Sequence, residues 1–146
     1  AEPHYIWYDY FSCPQKVLAP GQAGPTSASS SQADAINSIP SYVTKSLYFI
    51  VLAPAVSHES EGTLNLWTWD QRGWCRTERM ARELAPSSGF IILVESPTQQ
   101  MLLPEYASMW YGPGEGRFSR SQDRELVGRI AVQLLWNKLQ RYIVDG

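Results

Sequence analysis

The strongest candidate for a catalytic side chain is Glu78, which ends the segment Arg72–Glu78 (RGWCRTE). Helical spacing places Trp74 one turn before Glu78 and Arg82 one turn after it, and puts Glu78 at the margin of an apolar sector. A carboxylate between aromatic surface and solvent can have a raised pKa or orient toward a sugar hydroxyl. The alternative is a surface ion pair between Glu78 and Arg82, worth about 0.3–0.5 kcal/mol and the more frequent arrangement on spacing alone. Three charged residues lie opposite the apolar sector: Arg76, Arg79 and Glu83.

A second carboxylate, Asp9, lies in the segment His4–Phe11 (HYIWYDYF), which is dense in aromatic and β-branched residues. This composition predicts a buried strand that ends at Pro14, because proline lacks a backbone donor. Asp9, Ser12 and Cys13 then lie at the exit of the strand. Ligands collect at the carboxyl ends of strands in open α/β sheets, so these side chains can reach a crevice. Alternatively, Asp9 accepts hydrogen bonds from nearby backbone and fixes the turn, and under either interpretation a buried charge needs a partner.

Two other polar or glycine-rich segments give no indication of a functional site. His58, Glu59 and Glu61 fall in a polar loop of about fifteen residues that starts at Val56. No second histidine lies one helical turn away, so we interpret the cluster as a solvated loop and expect no metal. The glycine-rich segment Gly112–Gly116 lacks both the dinucleotide-binding pattern and a Walker lysine, and it predicts a turn.

Two apolar runs predict the centre of a sheet. Leu47–Ala53 is closed by Pro54, and Phe90–Glu95 is followed by Ser96 and Pro97. Neither run alternates between apolar and polar residues, which is typical of parallel strands covered on both faces. We therefore expect an α/β domain with parallel strands near 4–11, 47–53 and 90–95 and helices on both faces of the sheet.

Helical periodicity appears in three segments, near 32–46, 74–85 and 121–143. Pro40 predicts a kink or a restart in the first helix. The last helix is apolar over much of its circumference, so we expect it to be largely buried. Residues 20–31 are rich in Gly, Pro and Ser and predict a flexible loop within one domain that spans residues 1–146.

Composition narrows the classes of function. The 146 residues include 12 Lys+Arg and 14 Asp+Glu, for a net charge of -2, so no basic field would attract nucleic acid. The longest apolar stretches are far shorter than the roughly 20 residues that span a bilayer. Two cysteines cannot form a disulfide framework. We expect a soluble, cytoplasmic protein in which Cys13 and Cys75 are free thiols and which contacts neither nucleic acid nor membrane.

Three segments along the chain resemble known families. His4–Gln15 (HYIWYDYFSCPQ) is similar to the opening motif of heterokaryon-incompatibility (HET) domains, and Arg72–Glu78 resembles their Arg-x-Trp-x-x-x-Glu motif. The Trp-Cys-x-x-Glu core of the latter also resembles the segment of plant-type Toll/interleukin-1 receptor (TIR) domains that opens the helix with the catalytic glutamate. Ala35–Pro54 resembles the helix and central strand of these folds. The resemblance covers roughly residues 4–95.

This resemblance implies a flavodoxin-like parallel sheet and, as in many TIR domains, cleavage of the nicotinamide–ribose bond of NAD. Glu78 would contact the ribose and favour an oxocarbenium-like transition state, in chemistry allied to glycoside hydrolysis. Trp74 and Cys75 match motif positions beside it, and Asp9 matches the HET aspartate. The usual first TIR strand is not visible before His4, which implies either a fragment without that strand or a variant sheet.

Three functions follow as hypotheses. The first is an NAD glycohydrolase or cyclase in an innate-immunity-like signalling protein, which needs no cofactor besides NAD as substrate. The second is a non-catalytic module of a larger multidomain protein that self-associates into a homo-oligomer. The third is a structural domain whose last helix docks on a neighbour. In the first, Glu78 is catalytic, Tyr8 and Trp74 wall the cleft, and the substrate-binding residues are Asp9, Ser12, Trp74, Cys75 and Tyr8.

Overall fold

The computed structural model describes residues 5–12, 30–86, 89–104 and 111–145. Helices and short strands are interspersed along these ranges. The helices are α1 (Asp9–Ser12), α2 (Ser30–Lys45), α3 (Leu66–Asp70), α4 (Gly73–Glu83) and α5 (Asp123–Asp145). The strands are β1 (Tyr48–Leu52), β2 (Val56–His58), β3 (Gly62–Leu64), β4 (Phe90–Ser96) and β5 (Gln99–Leu102). The chain is therefore mixed α/β, as expected.

The main sheet has the order β1-β4-β5. Strands β1 and β4 are parallel, with Tyr48 opposite Phe90 and Leu52 opposite Val94. Parallel pairing requires a crossover connection, which α3 and α4 provide here. Strand β5 runs antiparallel to β4. The two strands predicted from apolar runs and their parallel pairing are confirmed, whereas the sheet as a whole is mixed.

The predicted strand near 4–11 is wrong for the part that the structure describes. Residues 5–8 have no regular structure, and Asp9–Ser12 forms one helical turn. Ser12 closes this turn, because its backbone N–H donates to the Tyr8 carbonyl at 2.8 Å and its Oγ accepts from the Tyr8 N–H at 2.9 Å. Trp7 stacks on Tyr42 of α2 with ring centroids 5.6 Å apart. Here aromatic packing on a helix replaces strand pairing.

The expectation that both sheet faces are covered is also wrong within the described residues. Val51 and Leu93 are buried, and Leu66 and Trp69 of α3 pack against their cluster. On the opposite face, alternate side chains of β1 and the first residue of β4 remain more than half exposed: Tyr48, Ile50, Leu52 and Phe90. Among the residues that the structure describes, helices therefore pack on one face of the sheet.

The loop that starts at Val56 contains a structure that the sequence did not predict. Strands β2 and β3 pair antiparallel, with Val56 opposite Leu64 and His58 opposite Gly62. Gly62 has φ 74°, a left-handed conformation that glycine adopts without strain. The loop is thus a short hairpin.

Three helices agree with their predicted positions, and two details differ. Helix α2 continues through Pro40 without restarting, because Ile39 and Val43 on either side are held in the same buried cluster. Helix α5 buries Val127 and Leu134 against its neighbours but leaves its other face exposed, since a single stripe is covered. No helix in the described ranges is both long and apolar enough to cross a membrane. Of the predicted flexible loop at residues 20–31, residues 20–29 lie outside the described residues and the rest begin α2.

Arginine side chains join the ends of the helices. Three of them donate at 2.6 Å to a carbonyl at or just beyond a helix C-terminus: Arg82 to Ser46 O after α2, Arg76 to Asp70 O at the end of α3, and Arg141 to Leu84 O after α4. On α4 the arginines that the sequence placed opposite the apolar sector are buried as well, with Arg76 at 4% and Arg79 at 6% exposure. Arg79 also pairs with Asp70 at 2.5 Å. Their burial was not expected from the helical wheel.

The start of α4 is fixed by the turn at Gly112–Gly116, where Pro113–Glu115 form a short 3-10 helix as predicted for a turn. Backbone bonds join the two segments, from the Gly73 N–H to the Arg117 carbonyl at 3.0 Å and from the Arg117 N–H to the Gln71 carbonyl. A Cβ on Gly116 would lie 2.5 Å from the Cα of Gly73, whereas a Cβ on Gly112 would meet open space.

Replacing Gly116 should therefore destabilise the protein. We expect Gly116→Ala to lower the free energy of unfolding by about 1–3 kcal/mol, because backbone must shift to admit the methyl group. The matched control, Gly112→Ala, should be neutral or slightly stabilising, since it restricts the unfolded chain. Urea denaturation of both variants measures this difference, and equal stability of the two would contradict it.

Replacing Arg82 should cost stability because its buried guanidinium bonds the Ser46 carbonyl at the end of α2. We expect Arg82→Met to lower the free energy of unfolding by about 2–3 kcal/mol. Arg129 provides the control, since its ion pair with Glu125 is solvent-exposed. Arg129→Met should change stability by less than about 0.5 kcal/mol. A similar loss in both variants would show that Arg82 contributes no more than a surface charge.

Candidate functional site

The candidate site is built around the first two turns of α4. Arg72 lies at the N-cap position in extended conformation, and the helix begins at Gly73. The Thr77 hydroxyl donates to the Gly73 carbonyl at 2.8 Å, and the Trp74 Nε1–H donates to the Asp123 Oδ2 at the start of α5, at 3.2 Å. These contacts fix the rotation of α4 and therefore the direction of its next residues.

Glu78 is buried, with 7% of its surface exposed. Burial is the main cause that raises the pKa of its carboxyl from 4.5 to about 8, and the negative charge of Asp9 raises it further while Arg72 opposes the change. The position at the margin of an apolar sector was expected, but the half-solvated environment is wrong. A surface ion pair with Arg82 is also wrong, because both side chains are buried and Arg82 bonds the Ser46 carbonyl.

Asp9 lies at the start of α1 rather than at the end of a strand. The residue as a whole is exposed, yet loss of water around its carboxyl raises its pKa, and the charge of Arg72 counteracts this. The turn that carries Asp9 is held near α2 by Trp7, which packs against the cluster of Ile39 and Val43. The N-terminal segment thus brings a second carboxylate into the electrostatic field of Glu78.

Cys75 completes the group. It is a free thiol, as predicted, and is 8% exposed. Burial, followed by the charge of Glu78, raises the pKa of this thiol to about 12, with a smaller rise from Asp9 and a lowering by Arg72. The thiol therefore stays protonated at neutral pH and is not a thiolate nucleophile. Cys13 lies outside the described residues.

Arg72 is the charge shared by all three acidic groups, since it lowers the pKa of Asp9, Cys75 and Glu78. The sequence alone indicated no role for Arg72, although it opens the motif Arg72–Glu78. Its position as the first residue of that motif was the available signal. A buried carboxyl that feels a second carboxyl and a guanidinium can hold a proton at neutral pH and release it when a cation approaches.

The remaining predicted site residues are Ser12, Tyr8 and Trp74. Ser12 and Tyr8 belong to the same turn as Asp9, with the Ser12 Oγ bonded to the Tyr8 N–H. Trp74 packs against the cluster of Ala81 and Leu134 with its indole N–H on Asp123, so it stabilises the helix pair rather than walling a cleft. The charges of Asp9 and Glu78 therefore act on each other and on Cys75, whereas Tyr8 and Ser12 lie in the same turn as Asp9 and Trp74 packs between helices.

A cavity of about 120 Å³ lies between α2 and α5, away from Glu78. It is lined by Pro40, Ser41, Thr44, Leu84, Leu134 and Arg141, among others. The crevice expected at the carboxyl end of a strand that carries Asp9 is wrong, because Asp9 lies in a helical turn. The described ranges contain no group of three His, Cys, Asp or Glu side chains suited to a metal ion. The ring Nδ1 of His58 accepts from the Glu61 N–H within the β2–β3 turn.

The raised pKa of Glu78 predicts a pH dependence of stability. The folded chain keeps a proton on Glu78 up to about pH 8, whereas the unfolded chain releases it near 4.5. Stability is therefore lost as the pH rises through this window, by at most about 1.4 kcal/mol per pH unit. Glu78→Gln removes this effect, so its free energy of unfolding should increase relative to the parent between pH 5 and pH 8.

Urea denaturation of the parent and of Glu78→Gln at several pH values measures that difference. Glu125→Gln is the matched control, because the Glu125 side chain is 80% exposed. The control should follow the parent at every pH. A constant difference between Glu78→Gln and the parent over this range would show that the Glu78 carboxyl titrates normally.

Comparisons with known proteins identify no relative of the chain. No protein-family model, no curated protein and no solved structure matches the chain. The chemistry of the site therefore rests on its own residues.

Proposed function

We propose that the chain is a TIR/HET-like signalling domain that cleaves the nicotinamide–ribose bond of NAD, with Glu78 as the ribose-facing carboxylate. The supporting observation is that Glu78 is buried and that the charges of Asp9 and Arg72 both act on its carboxyl. Asp9 comes from the HET-like segment His4–Gln15, and Glu78 comes from Arg72–Glu78. The two segments are far apart in sequence, and their acidic residues interact in the fold.

The proposed reaction needs a fixed negative charge. The bond between the ribose C1′ and the nicotinamide nitrogen breaks, its electron pair neutralises the pyridinium ring, and C1′ becomes an oxocarbenium centre. Water then attacks C1′ and releases a proton. The leaving nicotinamide is neutral and needs no general acid, so the carboxylate of Glu78 acts by stabilising positive charge.

The protonation of Glu78 suits this role. A pKa of about 8 in the free chain keeps the carboxyl largely neutral at pH 7. The positive nicotinamide ring of bound NAD lowers that pKa, so binding expels the proton and creates the carboxylate beside the reacting sugar. Asp9 opposes this ionisation and Arg72 favours it, and the balance of the two sets the pH range of the reaction.

The architecture supports the same proposal at a coarser level. A parallel pair such as β1–β4, with a crossover through α3 and α4, is what the centre of a flavodoxin-like sheet would require. In such sheets ligands bind beside the carboxyl ends of strands. We place this activity in the cytoplasm, where a free thiol such as Cys75 remains reduced.

The proposal is tested by incubating the whole chain with NAD and measuring nicotinamide and ADP-ribose by chromatography. We expect release of nicotinamide by the parent and a loss of at least about 10²-fold in Glu78→Gln, because the fixed charge is removed. Glu125→Gln should retain the parent rate. Asp9→Asn should shift the pH profile to lower pH, since it removes a charge that raises the pKa of Glu78.

Two outcomes would overturn NAD cleavage. One is the absence of nicotinamide release by the parent at high protein concentration, and the other is equal turnover by the parent and Glu78→Gln. The second candidate function, a non-catalytic module that self-associates, would then remain. It is favoured by the apolar side chains exposed on α5.

A further inference from the structure

Helix α5 carries a continuous apolar stripe on its outer face, which we call the α5 seam. Its residues follow the spacing i, i+3, i+4, i+7, i+10 and i+11: Val132, Leu135, Trp136, Leu139, Tyr142 and Ile143. The seam side chains are 46% to 76% exposed. A 3.5-residue repeat of this kind is typical of helices that pack against another helix along a narrow line.

The seam belongs to a helix that is already held in place. Val127 and Leu134 bury the opposite side of α5, and Ile130 packs against the same core. Arg141 bonds the Leu84 carbonyl, and Asp123 accepts from the Trp74 indole N–H. The exposure of the seam is therefore a property of the folded chain and does not result from a detached helix.

The exposed area of the seam matches the requirement of a dimer. Its six side chains present on the order of 700 Å², which exceeds the roughly 300–600 Å² of the largest patch on a typical monomer. A standard protein interface buries about 800 Å² on each partner. The six seam side chains by themselves approach that size.

We propose that the α5 seam is an isologous interface between two copies of this chain. The seam contains no charged residue, so a second seam can bury it without an unpaired charge. Regular helical spacing makes the stripe complementary to itself, since each apolar side chain fits between those of an identical stripe. Lys138 lies at its border with its ammonium over the Tyr142 ring, 5.4 Å from the centroid, and can stay hydrated there.

The exposed face of the sheet is the competing surface. Ile50 and Leu52 are each 55% exposed there, a value close to the 53% of Leu139 in the seam. That face is formed by alternate residues of short strands and lacks a long straight ridge. The two faces lie on different elements, so single substitutions separate them.

The test measures the mass of the whole chain by sedimentation equilibrium over a range of concentrations. We expect the parent to form a closed dimer with a Kd below about 10 µM. Leu139→Glu should weaken the dimer at least 100-fold, because it places a charge in the desolvated centre of the seam. Gln140→Glu, on the same helix but outside the seam, and Ile50→Glu, on the sheet, should leave the Kd within about threefold of the parent.

Circular dichroism and urea denaturation confirm that each variant is folded. Three results would overturn the inference: a monomeric parent at about 100 µM, a dimer that Ile50→Glu dissociates and Leu139→Glu does not, or open-ended growth beyond the dimer. The inference does not depend on NAD cleavage, because the measurement contains no substrate. Dimerisation without nicotinamide release would support the interface and reject the enzyme.

Discussion

The packing of this protein depends on arginine side chains that bind helix C-terminal carbonyls. A helix ends with carbonyl groups that lack partners and with the negative end of its dipole, so a guanidinium there satisfies both. Arg82 of α4 binds the end of α2, Arg76 binds the end of α3, and Arg141 of α5 binds the end of α4. Each bond crosses from one element to another. Side chains of one helix thereby bind the end of another around α4. These bonds hold the helices together in addition to the contacts within the small apolar clusters.

Burial of these arginines also determines the environment of Glu78. Helix α4 is covered on several sides, because its arginines must reach carbonyls of α2, α3 and the Gly112–Gly116 turn. Burying a charge is costly unless it is paired. The arginines have carbonyl and carboxylate partners, whereas Glu78 has no hydrogen bond or ion pair within the described part of the chain. The same packing that stabilises α4 therefore raises the pKa of its one unpaired carboxyl.

Sequence patterns predicted those features that depend on a single element. The apolar runs located β1 and β4, the helical period located α2, α4 and α5, and the motif around Trp74 singled out Glu78. The strand predicted at residues 4–11 failed, because aromatic residues pack equally well on a helix, as Trp7 does on Tyr42. A helical wheel placed Arg76 and Arg79 away from the apolar sector, but it contains no information about carbonyls supplied by other elements. Burial on both faces of β1 failed for the same reason, since covering elements are a tertiary property.

The site and the core are coupled through α2. Trp7 anchors the segment before Asp9 on α2, and Arg82 binds the end of α2 to the helix that carries Glu78. The separation of the two carboxyls therefore follows the packing of α2 on α4. A shift of α2 away from α4 would weaken the repulsion that Asp9 exerts on Glu78 and would also admit water to the buried carboxyl, and both changes lower its pKa. Because the bond from Arg82 to Ser46 resists that shift, a residue outside the charged cluster helps to set the proton affinity of Glu78.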